Sequence, residues 1–279
     1  MFLASNIFEK DIAGIEPKEV PSLLVSAIVS AQTTFLKELI SHLEFEKSLL
    51  IQRRISEKIF EDANSSHILE EIFEQKGKEY KESYYGKIEL FDSLVCELLF
   101  LRDYQSFEAF IGNIYACVCY FFPRFLTASP DDTRLSQLNI DDLFSSSSIL
   151  QARRTIVESK VKDQLQGSNI KDVLKSFDRK FGFKLGLDPA VLNELLMHSM
   201  ERNLIVHNSG IVNSIYIALL QRNKIKSNYL IGQKIIINDE RVNSARELYQ
   251  RVIENVSEAF KGNSKQIYMY YQGKYGTYP

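Results

Sequence analysis

The chain has 279 residues, of which 45% are hydrophobic and 25% are charged, and this length is enough for one large hydrophobic core or two small ones. Only 12 glycines and 6 prolines argue against an all-β or low-complexity chain. The formal net charge of −2 provides no global basic field, so any nucleic-acid site must be local.

The first predicted element is a long helix from Pro21 to about Asp62. Its beginning, Val20 to Leu36, carries no charged residue, which raises the question of a membrane span. Serine, threonine and glutamine side chains make this stretch too polar to cross a bilayer. We therefore predict a helix that is buried or faces a second copy of the chain, with no membrane contact.

The middle of the chain predicts further helices separated by polar breaks. Gly77 to Gly86 is polar and is interpreted as a turn region, followed by a mostly buried helix from Ile88 to Arg102. Ser106 resembles an N-cap and predicts a new helix that runs to about Pro123. The serine-rich stretch from 128 to 148 is interpreted as a loop, and a helix is expected near Ile149 to Gln166.

The next two helices have clear start signals. Ser168-Asn169 predicts a helix that reaches about Lys180, and Asp188-Pro189 combines an N-cap with proline at the first helical position. Ser209-Gly210 is a plausible stop for the second of these helices. A helical period supports it, with apolar residues at Val191, Leu192, Leu195, Leu196 and Met200.

The last part of the chain predicts a basic stretch, a short extended connection from Leu230 to Ile237, and a final helix capped by Asn238. One stripe of that helix is apolar: Val242, Ala245, Leu248, Tyr249, Val252, Val256 and Phe260. The tyrosine-rich end, 263–279, is expected to be a partly ordered tail, although it could also dock a partner or stack on bases.

Cysteine and histidine positions exclude several kinds of site. Cys96, Cys117 and Cys119 match neither a disulfide framework nor a metal site, so we interpret them as reduced core residues of a cytoplasmic protein. No set of Asp, Glu and His has convincing metal spacing, and no glycine-rich phosphate loop is present, so neither a metal nor a cofactor is predicted. His42 and His67 are expected to face solvent.

One polar cluster falls on the last two turns of the helix that begins at Pro189. Asn203 and His207 are four residues apart and therefore share a face, whereas Arg202 points well away from His207 around the axis. Arginine can hold a phosphate with two hydrogen bonds, and histidine can move a proton near neutral pH. Together they suit phosphodiester cleavage without a metal. The structural alternative is that both cations simply favour the negative end of the helix dipole.

The cluster belongs to a longer string, R-N-x-x-x-H-N followed by S-G-I-V-N-x-x-Y, from Arg202 to Tyr216. This string resembles the signature of the HEPN superfamily, and the similarity in order and spacing extends over roughly Ile88 to Gly262. The resemblance implies an all-α helical bundle, and the residues before it, which match no motif, are expected to form an N-terminal helical extension. It divides the chain into an extension (1–86), a HEPN-like domain (87–262) and the tail (263–279).

The resemblance also implies an activity, namely metal-independent RNA cleavage in a bacterial anti-phage or toxin–antitoxin system. It implies that Arg202, Asn203 and His207 are catalytic, and that two copies of the chain dimerise with both motifs facing one cleft. Related toxins that are silenced by nucleotidyltransferase antitoxins carry tyrosine two positions after the histidine. Here that position is Ser209, so a restraining partner could differ from theirs.

Four further residues are candidates for binding the RNA substrate: Asn208, Arg222, Lys224 and Lys226. The last three form the best local stretch for following a phosphate backbone, although a solvated loop explains them equally well. His198 lies one turn before Arg202, where it is a surface residue or a support for the site.

Three functions remain open from the sequence, and each predicts a different geometry. A ribonuclease predicts that two copies of Arg202 and His207 line one open groove. A non-catalytic binding module predicts that these residues are buried and paired within one chain. A nucleotide-sensing domain predicts a closed pocket in which Arg202 holds a ligand phosphate.

Overall fold

The computed structural model describes residues 16–64, 77–126, 149–166 and 169–276. Within these ranges the chain is all-α, as predicted, and its only strand-like pairing is an isolated bridge between Ile211 and Lys234. Short 3-10 turns occupy Pro17–Glu19 and Pro123–Leu126. The helices are α1 (Val20–Asn64), α2 (Gly77–Phe121), α3 (Ile149–Gln166), α4 (Ile170–Phe181), α5 (Pro189–Asn208), α6 (Ser214–Arg222), α7 (Asp239–Gly262) and α8 (Ser264–Tyr275).

Helices α1 and α2 form a long antiparallel pair. Arg53 on α1 bonds Asp92 on α2 at 2.5 Å, whereas Phe35, earlier on α1, meets Phe110, later on α2. The prediction of a turn at Gly77 to Gly86 and of a new helix at Ser106 was wrong, because α2 continues through both positions. No proline interrupts this stretch, and Tyr104 and Phe107, close to Ser106 on either side, are buried in the core, which favours an unbroken helix.

Helix α7 packs against both α1 and α2, and its predicted apolar stripe is confirmed as buried. A charged cluster lies beneath it. Arg246 bonds Asp103 through Nε at 2.7 Å and Glu46 through Nη1 at 2.6 Å. His42 completes the cluster with Nδ1 2.7 Å from Asp103, so the expectation that His42 faces solvent was wrong. His67 lies outside the described residues.

The tyrosine-rich end is helical through Tyr275, so the expectation of a partly ordered tail was wrong for that part. Helix α8 buries Ile267 and Tyr271. Tyr271 packs on Phe122 and Phe125, with ring centroids 5.1 and 5.2 Å apart. Aromatic burial of this kind stabilises a short helix that has little intrinsic stability alone. The division of the chain into domains remains a prediction.

Three predicted helix starts are confirmed by their hydrogen bonds. Asn169, Asp188 and Asn238 are the N-caps of α4, α5 and α7, and each side chain accepts a backbone N–H of the first turn. The three cysteines are buried, as expected. The predicted extended connection from Leu230 to Ile237 contains one turn and no helix. Its Lys234 forms a β-bridge with Ile211. The predicted loop from 128 to 148 lies outside the described residues.

By length and composition, the segment Pro17–Arg54 is long and apolar enough to cross a membrane. Its most apolar stretch of 18 residues has a mean hydropathy of 1.4, and 33% of that stretch is buried. The buried face of α1 packs on the core, and core helices meet the same criteria. Its opposite face leaves six aliphatic side chains exposed: Val29, Leu36, Ile40, Leu43, Leu50 and Ile51. The absence of membrane contact and the cytoplasmic location remain predictions.

Candidate functional site

The candidate site is built at the C-terminal end of α5. The helix ends where the sequence predicted, since Ser209 has φ 52° and Gly210 has φ 76°. The backbone N–H groups of both residues donate to the carbonyl of Leu204. This left-handed stop turns the chain back on itself, and only five residues separate α5 from α6.

The inner face of α5 fixes its position in the core. His198 is fully buried, with Nδ1 3.0 Å from the hydroxyl of Tyr249. The interpretation of His198 as a surface residue was therefore wrong. Burial is the main cause that lowers its pKa to about 3, with the charge of Arg241 adding to the effect. His198 is neutral at physiological pH and belongs to the core.

A buried ion pair also holds α5 in place. Glu201 is 3% exposed and accepts a 2.6 Å hydrogen bond from Arg241 on α7. Burial raises the pKa of Glu201, whereas the Arg241 guanidinium acts in the opposite direction. A hydrogen-bonded partner is what a buried carboxylate needs to remain charged. The residue just before the polar cluster therefore anchors the helix that presents it.

An open groove of about 310 Å³ runs between α5 and α6. His207 is exposed within it and has no hydrogen-bond partner among the described residues. Asn203 lies one turn earlier on the same face, as its spacing predicted. The groove is lined by Met200, Asn203, Leu204, His207, Asn208, Asn213, Ile215, Tyr216 and Leu219.

Arg202 lies outside the groove lining. It is half-buried, and its Nη1 donates to Oδ1 of Asn203 at 2.9 Å. Its charge also reaches Glu108 on α2: burial raises the pKa of Glu108, and the Arg202 guanidinium partly offsets that rise. Asn203 thus lies between the arginine and the groove that contains His207. Within one chain, the arginine and the histidine occupy different sides of α5.

The three basic candidates, Arg222, Lys224 and Lys226, are exposed at the C-terminal end of α6 and in the turn after it. None of them lines the groove, although Leu219, one turn before Arg222, does. Lys171 on α4 lies beside this segment, since its Nζ donates to Oδ1 of Asn223 at 3.0 Å. The basic character of this end of α6 is therefore reinforced by a residue that sequence reasoning missed.

Exposed aliphatic side chains lie in the groove and in the chain segments next to it. Val206 is 51% exposed, Ile211 43% and Ile215 68%. The bridge from Ile211 to Lys234 brings the connection before α7 to the same end of α5, where Ile236 is 71% exposed. A cluster of this kind around a polar site is typical of a surface that another molecule covers.

Asn213 and Tyr216 line the groove, but sequence analysis assigned them no role beyond membership of the motif. Asn213 is the N-cap of α6 and accepts the backbone N–H of Tyr216 at 2.9 Å. The cap spacing was visible in the sequence. The position of Asn213 in the same groove as His207 was not visible, because that position depends on how α6 folds back on α5.

The described residues include no group of three or more His, Cys, Asp or Glu side chains arranged to hold a metal ion. Comparison of the chain with protein-family models, with curated proteins and with solved structures gives no match.

Proposed function

We propose that this chain is a metal-independent endoribonuclease of the HEPN type that cuts RNA at a composite site formed by two copies of the chain. The observation that carries the proposal is His207, which is exposed, unpaired among the described residues and placed in an open groove. Asn203 lies beside it and holds the guanidinium of Arg202.

The chemistry needs only these side chains and the RNA. The 2′-hydroxyl of a ribose attacks the adjacent phosphorus, while His207 takes the hydroxyl proton or delivers a proton to the departing 5′-oxygen. The P–O bond to the 5′-oxygen breaks, leaving a 2′,3′-cyclic phosphate and a 5′-hydroxyl. Arg202 offsets the negative charge that develops on the pentacoordinate phosphorus.

The proposal requires a second copy because Arg202 and His207 lie on different sides of α5. A twofold arrangement that faces the two α5 ends toward each other places the arginine of one protomer near the histidine of the other. The exposed aliphatic side chains around the groove, such as Val206, Ile211 and Ile215, provide apolar surface for such a contact.

One alternative function is a non-catalytic binding module. It is favoured by the half-burial of Arg202 and its bond to Asn203, which give the arginine a structural role. The exposure of His207 argues against it, because a packing role predicts a buried and paired histidine. A nucleotide sensor predicts a closed pocket, whereas this groove is open to solvent.

Within the proposal, the enzyme acts in the bacterial cytoplasm in an anti-phage or toxin–antitoxin system, and its activity is restrained by a regulatory or antitoxin protein. Unrestrained cleavage of host RNA would be toxic, which is the reason to expect such a partner.

The direct experiment measures RNA cleavage by the purified chain in excess EDTA. Wild type is expected to cut, and His207→Asn, which keeps polarity but does not titrate near pH 7, is expected to be roughly 100-fold slower or worse. Arg202→Gln, which keeps a donor for Asn203, is expected to lose activity similarly. Arg251→Ala on exposed α7 surface is the control and should cut like wild type.

Melting temperatures separate chemistry from folding. His207→Asn changes an exposed side chain, so its melting temperature should match that of wild type. Wild-type protein that leaves RNA intact in EDTA and also without EDTA argues for the binding module. Cleavage that appears only when a divalent metal is added contradicts the proposed chemistry.

A further inference from the structure

Three asparagine amides reach the groove, and each already has one end engaged. Oδ1 of Asn213 accepts the backbone N–H of Tyr216 at 2.9 Å, and Nδ2 of Asn208 donates to the carbonyl of Ile211 at 2.5 Å. These partners fix which way each amide points, because a backbone N–H only donates and a carbonyl only accepts. Neither amide can be turned over without losing its bond.

The third amide is fixed in the same way. Oδ1 of Asn203 accepts from the guanidinium of Arg202 at 2.9 Å, and a guanidinium has no acceptor to offer in exchange. The NH₂ group of Asn203 is therefore the end without a partner among the described residues.

The unused ends define what the groove offers to a ligand. Asn203 and Asn213 each present an NH₂ group, and Asn208 presents a carbonyl oxygen, since the structure records no other bond to these atoms in the part of the chain it describes. The three amides thus provide two donor groups and one acceptor.

Four other lining residues are apolar and suit a flat ring. Met200, Leu204, Ile215 and Leu219 contribute aliphatic and thioether surface to the groove of about 310 Å³. Single-stranded RNA is typically recognised through unstacked bases that lie on such surface and are read along their Watson–Crick edges.

We infer that this groove binds a pyrimidine base next to the phosphate that is cut, an inference that rests on the proposed function for its placement beside His207. The Watson–Crick edges of uracil and cytosine each carry two acceptors and one donor, in different orders, and these match two donors and one acceptor in number. The edge of guanine carries one acceptor and two donors, and adenine lacks a second acceptor on that edge. Purines therefore leave a groove amide unpaired, which is costly.

The test measures binding rather than cleavage, so that it does not depend on catalysis. The full-length wild-type chain is titrated calorimetrically in EDTA with 3′-UMP, 3′-CMP, 3′-AMP and 3′-GMP. Pyrimidine nucleotides are expected to bind roughly tenfold more tightly than purine nucleotides, as one well-formed set of edge contacts allows.

Asn213→Asp is the informative variant. The carboxylate still accepts the N–H of Tyr216, and Asp is as good an N-cap as Asn, so α6 is retained. The group facing the groove changes from a donor to an acceptor. The added charge weakens all four nucleotides alike, whereas the pyrimidine-to-purine ratio is expected to fall roughly tenfold.

Asn238→Asp is the matched control. Asn238 caps α7 by the same bond, accepting the N–H of Arg241 at 2.9 Å, but it lies outside the groove. The pyrimidine-to-purine affinity ratio of Asn238→Asp should equal that of wild type. Equal affinities for the four nucleotides, no binding at all, or an unchanged ratio in Asn213→Asp would each overturn the inference.

The two proposals fail in distinguishable ways. If the chain prefers pyrimidine nucleotides but cuts no RNA, the proposed ribonuclease activity is contradicted and the proposed base site is retained. If the chain cuts RNA through His207 but binds all four nucleotides equally, the proposed base site is contradicted and the proposed ribonuclease activity is retained.

Discussion

The protonation of His198 is decided by its surroundings. The ring is fully buried, Nδ1 lies 3.0 Å from the hydroxyl of Tyr249, and Nε2 has no hydrogen-bond partner among the described residues. Phe100 packs edge-on against it, with ring centroids 5.5 Å apart. In the folded chain the ring is therefore neutral, with its pKa lowered to about 3 mainly by burial.

This burial predicts an acid-sensitive contribution to stability. The pKa of His198 in the unfolded chain is near 6.5, so between that pH and about 3 the unfolded chain binds one proton more. Stability is lost as pH falls through this range, by up to about 1.4 kcal/mol per pH unit from this residue.

His198→Asn provides the comparison because asparagine can bond Tyr249 but does not titrate. Urea unfolding at several pH values from neutral to mildly acidic gives the free energy of unfolding of both proteins. The advantage of wild type over the variant is expected to shrink as pH falls. An advantage that stays constant over the whole range would show that His198 is not neutral in the fold.

The two buried histidines also show what sequence reasoning could not reach. His42 lies among charged residues along α1, but its partner Asp103 is 61 positions away, and the cluster closes through Arg246, 143 positions beyond Asp103. The sequence of one helix shows which residue types lie next to His42 along that helix. It does not report which face another helix covers.

At the scale of elements, helix ends were predictable because their signals are local. The caps Asn169, Asp188 and Asn238 act on backbone groups within three residues. Sequence analysis missed the continuity of α2 for the opposite reason, because the deciding contacts are not local. Ser106 resembles a cap, but its neighbours Tyr104 and Phe107 are buried against α7, and tertiary packing overrides the local preference.

The C-terminal end of α4 offers a test of packing against α8. Gly182 has φ +76°, and a Cβ built there would lie 2.5 Å from the ring of Tyr270. Gly182→Ala must therefore bear both backbone strain and displacement of that ring. Gly186 has φ +69° with open space around it, so Gly186→Ala bears backbone strain alone, about 1 kcal/mol.

Thermal unfolding of the two variants separates these terms. Gly182→Ala is expected to have the lower melting temperature, and a further Tyr270→Ala change should recover part of the difference. Equal melting temperatures for the two alanine variants would mean that α8 does not pack where the fold places it.

At the scale of the whole molecule, the geometry of the motif was partly predictable. Helical spacing alone placed Asn203 and His207 on one face and turned Arg202 away from it. The opposite wall of the groove, with Asn213 and Tyr216, depends on the reversal at Ser209 and could not be derived from local pattern.

The molecule has no global positive charge, so the proposed binding of RNA must depend on local cations. Arg222→Ala, Lys224→Asn and Lys226→Ala are combined, with asparagine at 224 because that residue has φ 56°. If all three contact phosphates, the slope of log affinity against log salt concentration for single-stranded RNA should decrease in magnitude by about 2.

The matched control removes three other exposed cations, Lys162, Arg251 and Lys265, by alanine substitution. Both triple variants lose the same charge, so a difference in salt slope reports position rather than net charge. Identical slopes for the two would exclude the end of α6 as the RNA path.

The most direct measurement of the central claim mixes two inactive proteins, Arg202→Gln and His207→Asn, under conditions that exchange subunits, and follows RNA cleavage in EDTA. In a composite site, each mixed dimer has one site that keeps both the arginine and the histidine, so random exchange should restore roughly a quarter of wild-type activity. A mixture as inactive as its two components, with subunit exchange demonstrated, would contradict a site shared between two chains.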